Sequence, residues 1–265
     1  MGKSYSVDSI YKMKEIDHIR QHVGMYLGNT EDSRKIFDEL VDNAFDEVLA
    51  GFADIVGVFI DTEKGTISVL DNGRGMPANP SLPEDKDPPV LSCTQLMTSG
   101  KFDKNKDSSA YKIAAGIHGV GMTAVNATCH NVLIDIYRDD LHYSYKFEES
   151  KLISRSSESF DIKNKPYSTR VVAKPDKKYF DNIIPSVKYI EERLRLACAT
   201  IPNLKTALVV DGKKIIIKGS EDDIIKDYIS KDVKEWIKLG KKNKDGQKYE
   251  VVIGWDDEDP KSPRI

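Results

Sequence analysis

Four polar side chains recur along one segment at a spacing that could build a catalytic site. They are Glu39, Asn43, Asp46 and Glu47, at i, i+4, i+7 and i+8. In a helix this spacing places all four on or near one polar stripe. A carboxylate one turn from a neutral amide suits two tasks, because the carboxylate can orient a water and the amide can hold a divalent metal. The alternative is an ordinary solvated acidic face.

A glycine-rich turn follows a β-like run and has the sequence Asp-Asn-Gly-Arg-Gly-Met-Pro at positions 71–77. Two glycines within three residues permit a tight turn and close approach of a ligand to the backbone. Asp71, at the end of the run, is placed to accept a hydrogen bond from an amine such as adenine N6. The alternative is a plain Asp-Gly turn.

A second glycine-rich segment, Gly-Ile-His-Gly-Val-Gly at positions 116–121, opens a predicted helix. The N–H groups and the positive dipole end of a helix N-terminus favour bound phosphate. Alone, the match is weak. No Gly-Lys-Ser/Thr closes it as in a P-loop, and no strand precedes it as in a dinucleotide-binding fold.

Hydrophobic periodicity predicts the elements that position these motifs. Residues 31–50 form an amphipathic helix that stops at Gly51, and residues 98–121 form a long loop of the kind that often carries function. Further helices are predicted over 90–97, 120–128 and 179–199, and strands over 56–60, 66–70, 132–137, 143–147 and 169–173. Helices and strands mix without regular βαβ alternation, which favours an α+β layered sandwich over a doubly wound fold.

The last part of the chain changes character near residue 202. A β-hairpin is predicted around Asp211-Gly212, followed by a Lys-rich segment and a strand over 249–255. Such a Lys run is more often a solvated face than a binding site. We therefore predict a first domain over 1–201 and an incomplete second domain over 202–265.

Composition excludes several classes of protein. The 265 residues are 39% hydrophobic and 31% charged, with a net charge of -3. This is too apolar for a disordered chain, too charged for a membrane bundle, and not basic enough for a nucleic-acid footprint over the whole surface. The three cysteines form no CxxC pair, which disfavours a disulfide framework or a zinc site and predicts a reducing compartment, the cytoplasm.

The order of these motifs resembles that of the GHKL ATPase superfamily. Within it, the chain is most similar to the ATPase subunits of bacterial-type type II DNA topoisomerases, the group formed by gyrase B and topoisomerase IV B. The matching segments are GMYLG (24–28), DELVDNAFDEVLAG (38–51), DNGRGMP (71–77), SGKF (99–102) and YKIAAGIHGVGMTAVNA (111–127). The resemblance covers nearly the whole chain. It implies a two-layer α/β sandwich of the GHKL (Bergerat) type, followed by the start of a second α/β, transducer-like domain.

The same resemblance implies that ATP and Mg²⁺ bind between the 31–50 helix and the strand that ends at Asp71. Asp71 would bind adenine N6, directly and through a water shared with Thr169. Asn43 would be the protein ligand to Mg²⁺, and Glu39 would polarise the attacking water. Glu47 and Arg74 would pair at the rim of the pocket, which Arg138 would extend.

Other positions carry over in the same way. Lys101 and His118 are expected to act on the phosphates and are named with Glu39 as catalytic residues. The remaining nucleotide-binding positions that the resemblance implies are Tyr5, Asp46, Gly75, Met76, Pro77, Tyr111, Gly116, Ile117, Gly119, Val120 and Gly121. Candidates for the apolar wall around the base are Leu40, Ala44, Val69, Met76, Met122 and Val171.

The sequence departs from the family pattern at four positions. Val23 stands where proline is usual, and Ser99, Ala115 and Ser168 stand where glycine is usual. We expect these changes to tune loop mobility more than chemistry.

The resemblance implies a mechanical role. ATP binding would close a lid and join two copies through an N-terminal arm, residues 1–20, which carries Tyr5 and Ile10. The expected partners are the second copy, DNA bound non-specifically through the Lys-rich segment, and a DNA-cleaving subunit or module, with no membrane. The chain ends before the family's transducer lysine, so weak hydrolysis by this chain alone is expected. The alternative is a GHKL clamp or chaperone-type ATPase that does not act on DNA.

Overall fold

The computed structural model describes residues 13–98, 119–217, 235–242 and 248–255. The helices are α1 (Glu15–Gln21), α2 (Val23–Leu27), α3 (Arg34–Leu49), α4 (Pro88–Thr94), α5 (Gly121–Thr128) and α6 (Val187–Thr200). The strands are β1 (Ile55–Asp61), β2 (Thr66–Asp71), β3 (Cys129–Arg138), β4 (Leu141–Glu148), β5 (Lys151–Ser159), β6 (Thr169–Pro175), β7 (Lys205–Val210), β8 (Lys213–Ile215), β9 (Glu235–Lys242) and β10 (Lys248–Trp255).

Eight of these strands form one sheet in the order β5-β4-β3-β6-β2-β1-β7-β8. Neighbours are antiparallel except β1 and β7, which run parallel. β9 and β10 pair antiparallel in a separate two-stranded sheet. The helices α3, α5 and α6 pack against strands of the large sheet. The predicted α+β layered sandwich is confirmed.

The core lies between the large sheet and its helices. Alternate side chains of each inner strand face the helical layer, as the two-residue period of a strand requires. Buried strand residues include Val56, Val58, Ile67, Val69, Ile134 and Ile136, and buried α3 residues include Phe37, Leu40, Val41, Ala44 and Val48. The apolar face predicted for α3 is therefore the face that the core covers.

One predicted helix boundary is wrong, and one strand was not predicted. The last predicted helix begins at Val187, not near residue 179, because Ser186 caps it by accepting a hydrogen bond from the Tyr189 backbone N–H. β5 was not predicted. It is an edge strand, largely exposed and rich in serine, so it lacks the apolar alternation that marks a half-buried strand.

The predicted hairpin around Asp211-Gly212 is confirmed, with Leu208 opposite Ile215. Its first strand, β7, pairs with β1 and so extends the large sheet. The division into two domains itself stays a prediction.

The three cysteines are free thiols. Complete burial raises the pKa of Cys93 to about 12, and a thiol with so high a pKa is chemically inert near neutral pH. None of the helices in the described part of the chain has the length and apolar character needed to cross a membrane.

Candidate functional site

Glu39 lies on the polar side of α3, and each of its carboxylate oxygens has a defined neighbour. Oε1 pairs with Lys35 Nζ at 3.0 Å, one turn earlier. Burial of Lys35 opposes its charge, but the hydrogen bond and the charge of Glu39 outweigh burial and raise the pKa of Lys35. The pair therefore holds one oxygen of Glu39 and leaves the other directed elsewhere.

The second oxygen of Glu39 lies against the first residue of α5. A Cβ added to Gly121 would collide with Glu39 Oε2, so no larger residue fits there while the carboxylate keeps this position. The acidic helix and the helix that follows the second glycine-rich segment thus meet at Glu39 and Gly121. The positive dipole end of α5 faces the carboxylate.

The rest of the acidic stripe divides into exposed and buried parts. Asn43 is exposed, whereas Asp46 is fully buried and Glu47 is 9% exposed. The alternative of a solvated acidic face is therefore wrong for Asp46 and Glu47. Buried carboxylates need partners, and those of Glu47 lie on the 71–77 turn.

Glu47 and Arg74 form a two-point ion pair. Arg74 Nη2 donates to Oε1 at 2.8 Å and Nε donates to Oε2 at 3.0 Å, while the Arg74 backbone N–H reaches Oε2 at 3.1 Å. The guanidinium lies 3.8 Å from the centre of the Phe52 ring. Arg138 Nη1 donates to the Gly75 carbonyl at 2.9 Å. The expected Glu47–Arg74 ion pair is therefore present, with Arg138 bonded to the same turn, and their place at the rim of a nucleotide pocket stays a prediction.

Asp71 is the last residue of β2 and is 6% exposed. Its Oδ1 accepts a hydrogen bond from the Gly73 N–H at 2.8 Å. Burial raises the pKa of Asp71 to about 7, and the nearby Glu47 charge adds to that rise. A Cβ at Gly73 would lie 2.8 Å from Glu47 Oε2 and 2.9 Å from Asp71 Oδ1. Only glycine therefore fits between the two carboxylates.

Thr169 begins β6 directly opposite Asp71. Its Oγ1 accepts a hydrogen bond from the Met76 N–H at 3.2 Å, so it holds the far end of the turn that Asp71 begins.

Asn72 anchors the same turn to the start of β1, because its Oδ1 accepts from the Asp54 and Ile55 N–H groups, each at 3.0 Å. Gly75 has a φ of +79°, a conformation that favours glycine.

The structure also shows polar residues that sequence reasoning missed. Asp87 is fully buried and accepts hydrogen bonds from Tyr145 Oη and Arg155 Nη1, each at 3.0 Å. It therefore fixes the end of the loop that follows Pro77 to β4 and β5. The only signal in the sequence was an aspartate before a proline pair, which indicates no more than a loop.

A second missed set adjoins Glu39 on α3. Tyr189 Oη of α6 donates to both oxygens of Asp38 at 2.9 Å, and Arg193 pairs with Asp42. Burial raises the pKa of both aspartates. These contacts tie α6 to the helix that carries Glu39.

Other predicted residues fall into two groups. Leu40, Ala44, Val69 and Met122 are buried and Met76 and Val171 are partly buried in one core, and their role as an apolar wall around the base stays a prediction. Tyr5, Ile10, Lys101, Tyr111 and positions 116–118 lie outside the described residues. Gly119 and Val120 lead directly into α5.

Within the described ranges, no group of three or more His, Cys, Asp or Glu side chains could hold a metal ion. A hard cation held by one amide oxygen, with water and ligand phosphates completing its shell, does not need such a cluster. The exposed Asn43, one turn from Glu39, fits that kind of site.

A family model described as "Histidine kinase-, DNA gyrase B-, and HSP90-like ATPase" matches residues 28–173, which contain α3, the 71–77 turn and Thr169. The chain belongs to this ATPase family. The match ends at Ala173 within β6, so it includes the strand pairing that brings Asp71 and Thr169 together.

Relatives within the family come from two kinds of topoisomerase. The chain is 33% identical to the DNA gyrase B protein of Thermus thermophilus over 76% of its own length and 31% of that protein. It is 30% identical to the DNA topoisomerase 4 B protein of Bartonella bacilliformis over 95% of its length and 36% of that protein. The chain thus spans about a third of these curated relatives.

A solved structure agrees with these matches. The topoisomerase IV ATP-binding domain of Francisella tularensis, in complex with a small-molecule inhibitor, superposes with a TM-score of 0.62 at 28% identity. The match covers 78% of this chain and 96% of that domain. The layered fold is therefore that of an ATP-binding domain of the family.

Proposed function

We propose that this chain is the ATP-binding and hydrolysing gate module of a type II DNA topoisomerase. The observation that carries the proposal is the buried Asp71 carboxylate, set opposite Thr169 at the end of β2. A buried acceptor beside a glycine turn suits the exocyclic amine of adenine. Membership of the ATPase family and the similarity to gyrase B and topoisomerase IV B support the same assignment.

In this proposal each residue of the site has one task. Asp71 accepts the adenine amine, and the Glu47–Arg74 pair keeps the adjoining turn in shape. Glu39 orients the attacking water, and its carboxylate is already fixed between Lys35 and Gly121. Asn43 would hold Mg²⁺, which when bound supplies positive charge to the phosphates. Lys101, His118 and the 116–121 backbone would bind the phosphates, a role that stays a prediction.

The action of the whole protein is also part of the proposal. ATP binding would join two copies as a gate, and hydrolysis would reopen it, coupling the cycle to DNA strand passage. The partners are a second copy, DNA and a DNA-cleaving subunit or module. Reading the gene downstream of Ile265 tests this assignment, because a topoisomerase requires a metal-binding, DNA-cleaving region in the same protein or in its partner protein.

Calorimetry with ATP and GTP tests the nucleotide site. The chain should prefer ATP, because guanine presents a carbonyl to Asp71 where adenine presents an amine. Asp71→Ala should weaken ATP binding by roughly 2 kcal/mol and remove the preference, since a buried donor loses its acceptor. Asp85→Ala, at an exposed position, is the matched control and should bind as the unaltered chain does. Equal affinity for the two nucleotides, or unchanged ATP binding by Asp71→Ala, contradicts the assignment.

A further inference from the structure

Ser168 contacts three parts of the proposed adenine site. It is fully buried. Its N–H donates to the Asp71 carbonyl at 2.7 Å, and its carbonyl accepts from the Tyr137 N–H at 2.8 Å. Its hydroxyl lies 2.6 Å from the Gly73 carbonyl and 2.8 Å from Lys165 Nζ. The residue therefore links the end of β2, the glycine turn and β3 to a lysine that precedes β6.

The direction of the two hydroxyl contacts follows from the chemistry of the partners. The Gly73 carbonyl can only accept and the Lys165 ammonium can only donate, so the Ser168 hydroxyl must donate to Gly73 and accept from Lys165. Glycine at this position would leave the ammonium without this contact. Ser168 thus fixes a half-buried cation to the turn that carries Asp71.

Lys165 acts on Asp71 through its charge. Among the described residues, the charges that act on the pKa of Asp71 are those of Glu47, from α3, and Lys165, from the segment before β6. Burial and Glu47 raise the pKa of Asp71, whereas the Gly73 N–H and the Lys165 charge lower it. Glu47 already pairs with Arg74. Lys165 therefore counters part of the effect of burial on the pKa of this carboxyl.

We propose that Lys165, held in place by Ser168, is a positioning residue of the adenine site that keeps Asp71 available as a hydrogen-bond acceptor near neutral pH. The inference rests on the proposed function, because it assigns Lys165 to adenine recognition by way of Asp71. Lys165 needs no contact with the nucleotide for this role. Its removal should change the pH at which adenine binding is lost rather than binding at every pH.

The test is ATP affinity, measured by calorimetry on the full chain from about pH 6 to about pH 9. Unaltered protein should lose affinity as the pH falls through the region where Asp71 gains a proton. Lys165→Met should move that loss to higher pH, with binding roughly three- to ten-fold weaker near pH 7 and little changed near pH 9, since one pKa unit corresponds to a factor of ten. Ser168→Ala should act in the same direction but less strongly, because the lysine stays but is no longer fixed.

Two further variants make the result specific. Lys163→Met removes an exposed lysine two residues away, and its binding profile should follow that of the unaltered chain. Protonation of the nucleotide itself affects every variant equally, so it drops out of the comparison between variants. Lys165→Arg keeps the charge and should restore that profile, which also decides the matter if Lys165→Met does not fold.

The outcomes separate the inference from the proposed function. A Lys165→Met profile that coincides with that of the unaltered chain, or that is lowered equally at every pH, overturns the positioning role. A Lys165→Arg variant whose binding profile differs from that of the unaltered chain also overturns it. Unaltered protein that binds no ATP at any pH overturns the proposed function instead.

Discussion

At the scale of single residues, the first prediction concerns the proposed role of Glu39 as the catalytic base. Glu39→Gln keeps the shape of the side chain but removes the charge that activates water. ATP turnover should fall about 100-fold or more, the scale of general-base catalysis, while ATP affinity should change little. Phosphate release and calorimetry on the same preparation measure the two quantities.

The control for this substitution lies on α6. Glu192 also pairs with a lysine one turn earlier, Lys188, but is 54% exposed. Glu192→Gln therefore removes the same kind of helical ion pair away from the site and should leave turnover unchanged. Turnover of Glu39→Gln near that of Glu192→Gln would exclude the role of base.

The raised pKa of Asp71 makes a second prediction, about stability without nucleotide. The carboxyl has a pKa of about 7 in the folded protein against an ordinary value of 3.8, so the folded state binds this proton more tightly than the unfolded state. The stabilisation is fully present below about pH 4 and is lost as the pH rises through about 7. Asp71→Asn stays neutral, and so it should melt at a higher temperature than the unaltered chain at pH 8.

The difference in melting temperature should shrink as the pH falls towards 4. Asp139→Asn provides the comparison, because Asp139 is 75% exposed and asparagine tolerates its positive φ. Melting curves of Asp71→Asn and the unaltered chain that differ by the same amount at every pH would show that the carboxyl does not titrate near 7.

At the scale of elements, the contact between α3 and α5 predicts the effect of filling Gly121. Alanine is the better helix former by about 1 kcal/mol, so Gly121→Ala should fold. The added methyl group takes the place of Glu39 Oε2, which sits at the end of a flexible side chain and can move. Turnover should fall towards that of Glu39→Gln, and the double variant should be no worse than either single one.

Gly24 supplies the matched control for the helix effect. It lies inside α2, and a Cβ there would meet nothing within 4 Å. Gly24→Ala should therefore keep full turnover. Full turnover in Gly121→Ala as well would mean that the base does not depend on its contact with α5.

The elements that sequence analysis predicted are those whose pattern is set by burial. α3 and the strands β1 and β2 carry apolar residues at the period of their own geometry. β5 is joined to β4 by Glu149-Ser150, both at positive φ, a two-residue turn made without the asparagine or glycine that signals one. β5 is also a polar edge strand, so it lacks the apolar alternation that predicts a strand. The parallel pairing of β7 with β1 depends on contacts distant in sequence, which no local pattern encodes.

The site was predictable where a motif stands on one element or one turn. The Glu47–Arg74 pair came from the family resemblance that such motifs carry. Lys165 and Ser168 could not be found in this way. Their importance comes from two linked hydrogen bonds, Lys165 to Ser168 and Ser168 to Gly73, and the second reaches a turn almost 100 residues earlier. Ser168 was expected only to tune loop mobility. In the structure it has four polar contacts, so its side chain is part of the scaffold of the site.

At the scale of the whole molecule, α5 connects the site to the root of the N-terminal arm. Its first residue, Gly121, lies against Glu39. At its other end, the Ala127 carbonyl accepts a hydrogen bond from Arg20 Nε at 2.8 Å, and Arg20 belongs to α1, the first described helix after the arm's leading residues. α5, a helix of eight residues, therefore has the Glu39 contact at one end and the α1 contact at the other.

This connection supports the prediction that nucleotide controls assembly. The chain should be mainly monomeric alone and dimeric with Mg²⁺ and a non-hydrolysable ATP analogue, as light scattering would measure. Removing residues 1–12 should abolish the dimer but preserve most of the nucleotide binding, because Tyr5 is the one expected nucleotide contact among them and the residues assigned to adenine and Mg²⁺ lie elsewhere. Glu39→Gln should form a long-lived dimer with ATP itself, since it binds but cannot complete the reaction. A dimer of equal strength without nucleotide would show that ATP does not operate the gate. A dimer that persists without residues 1–12 would show that contacts other than the arm join the two copies.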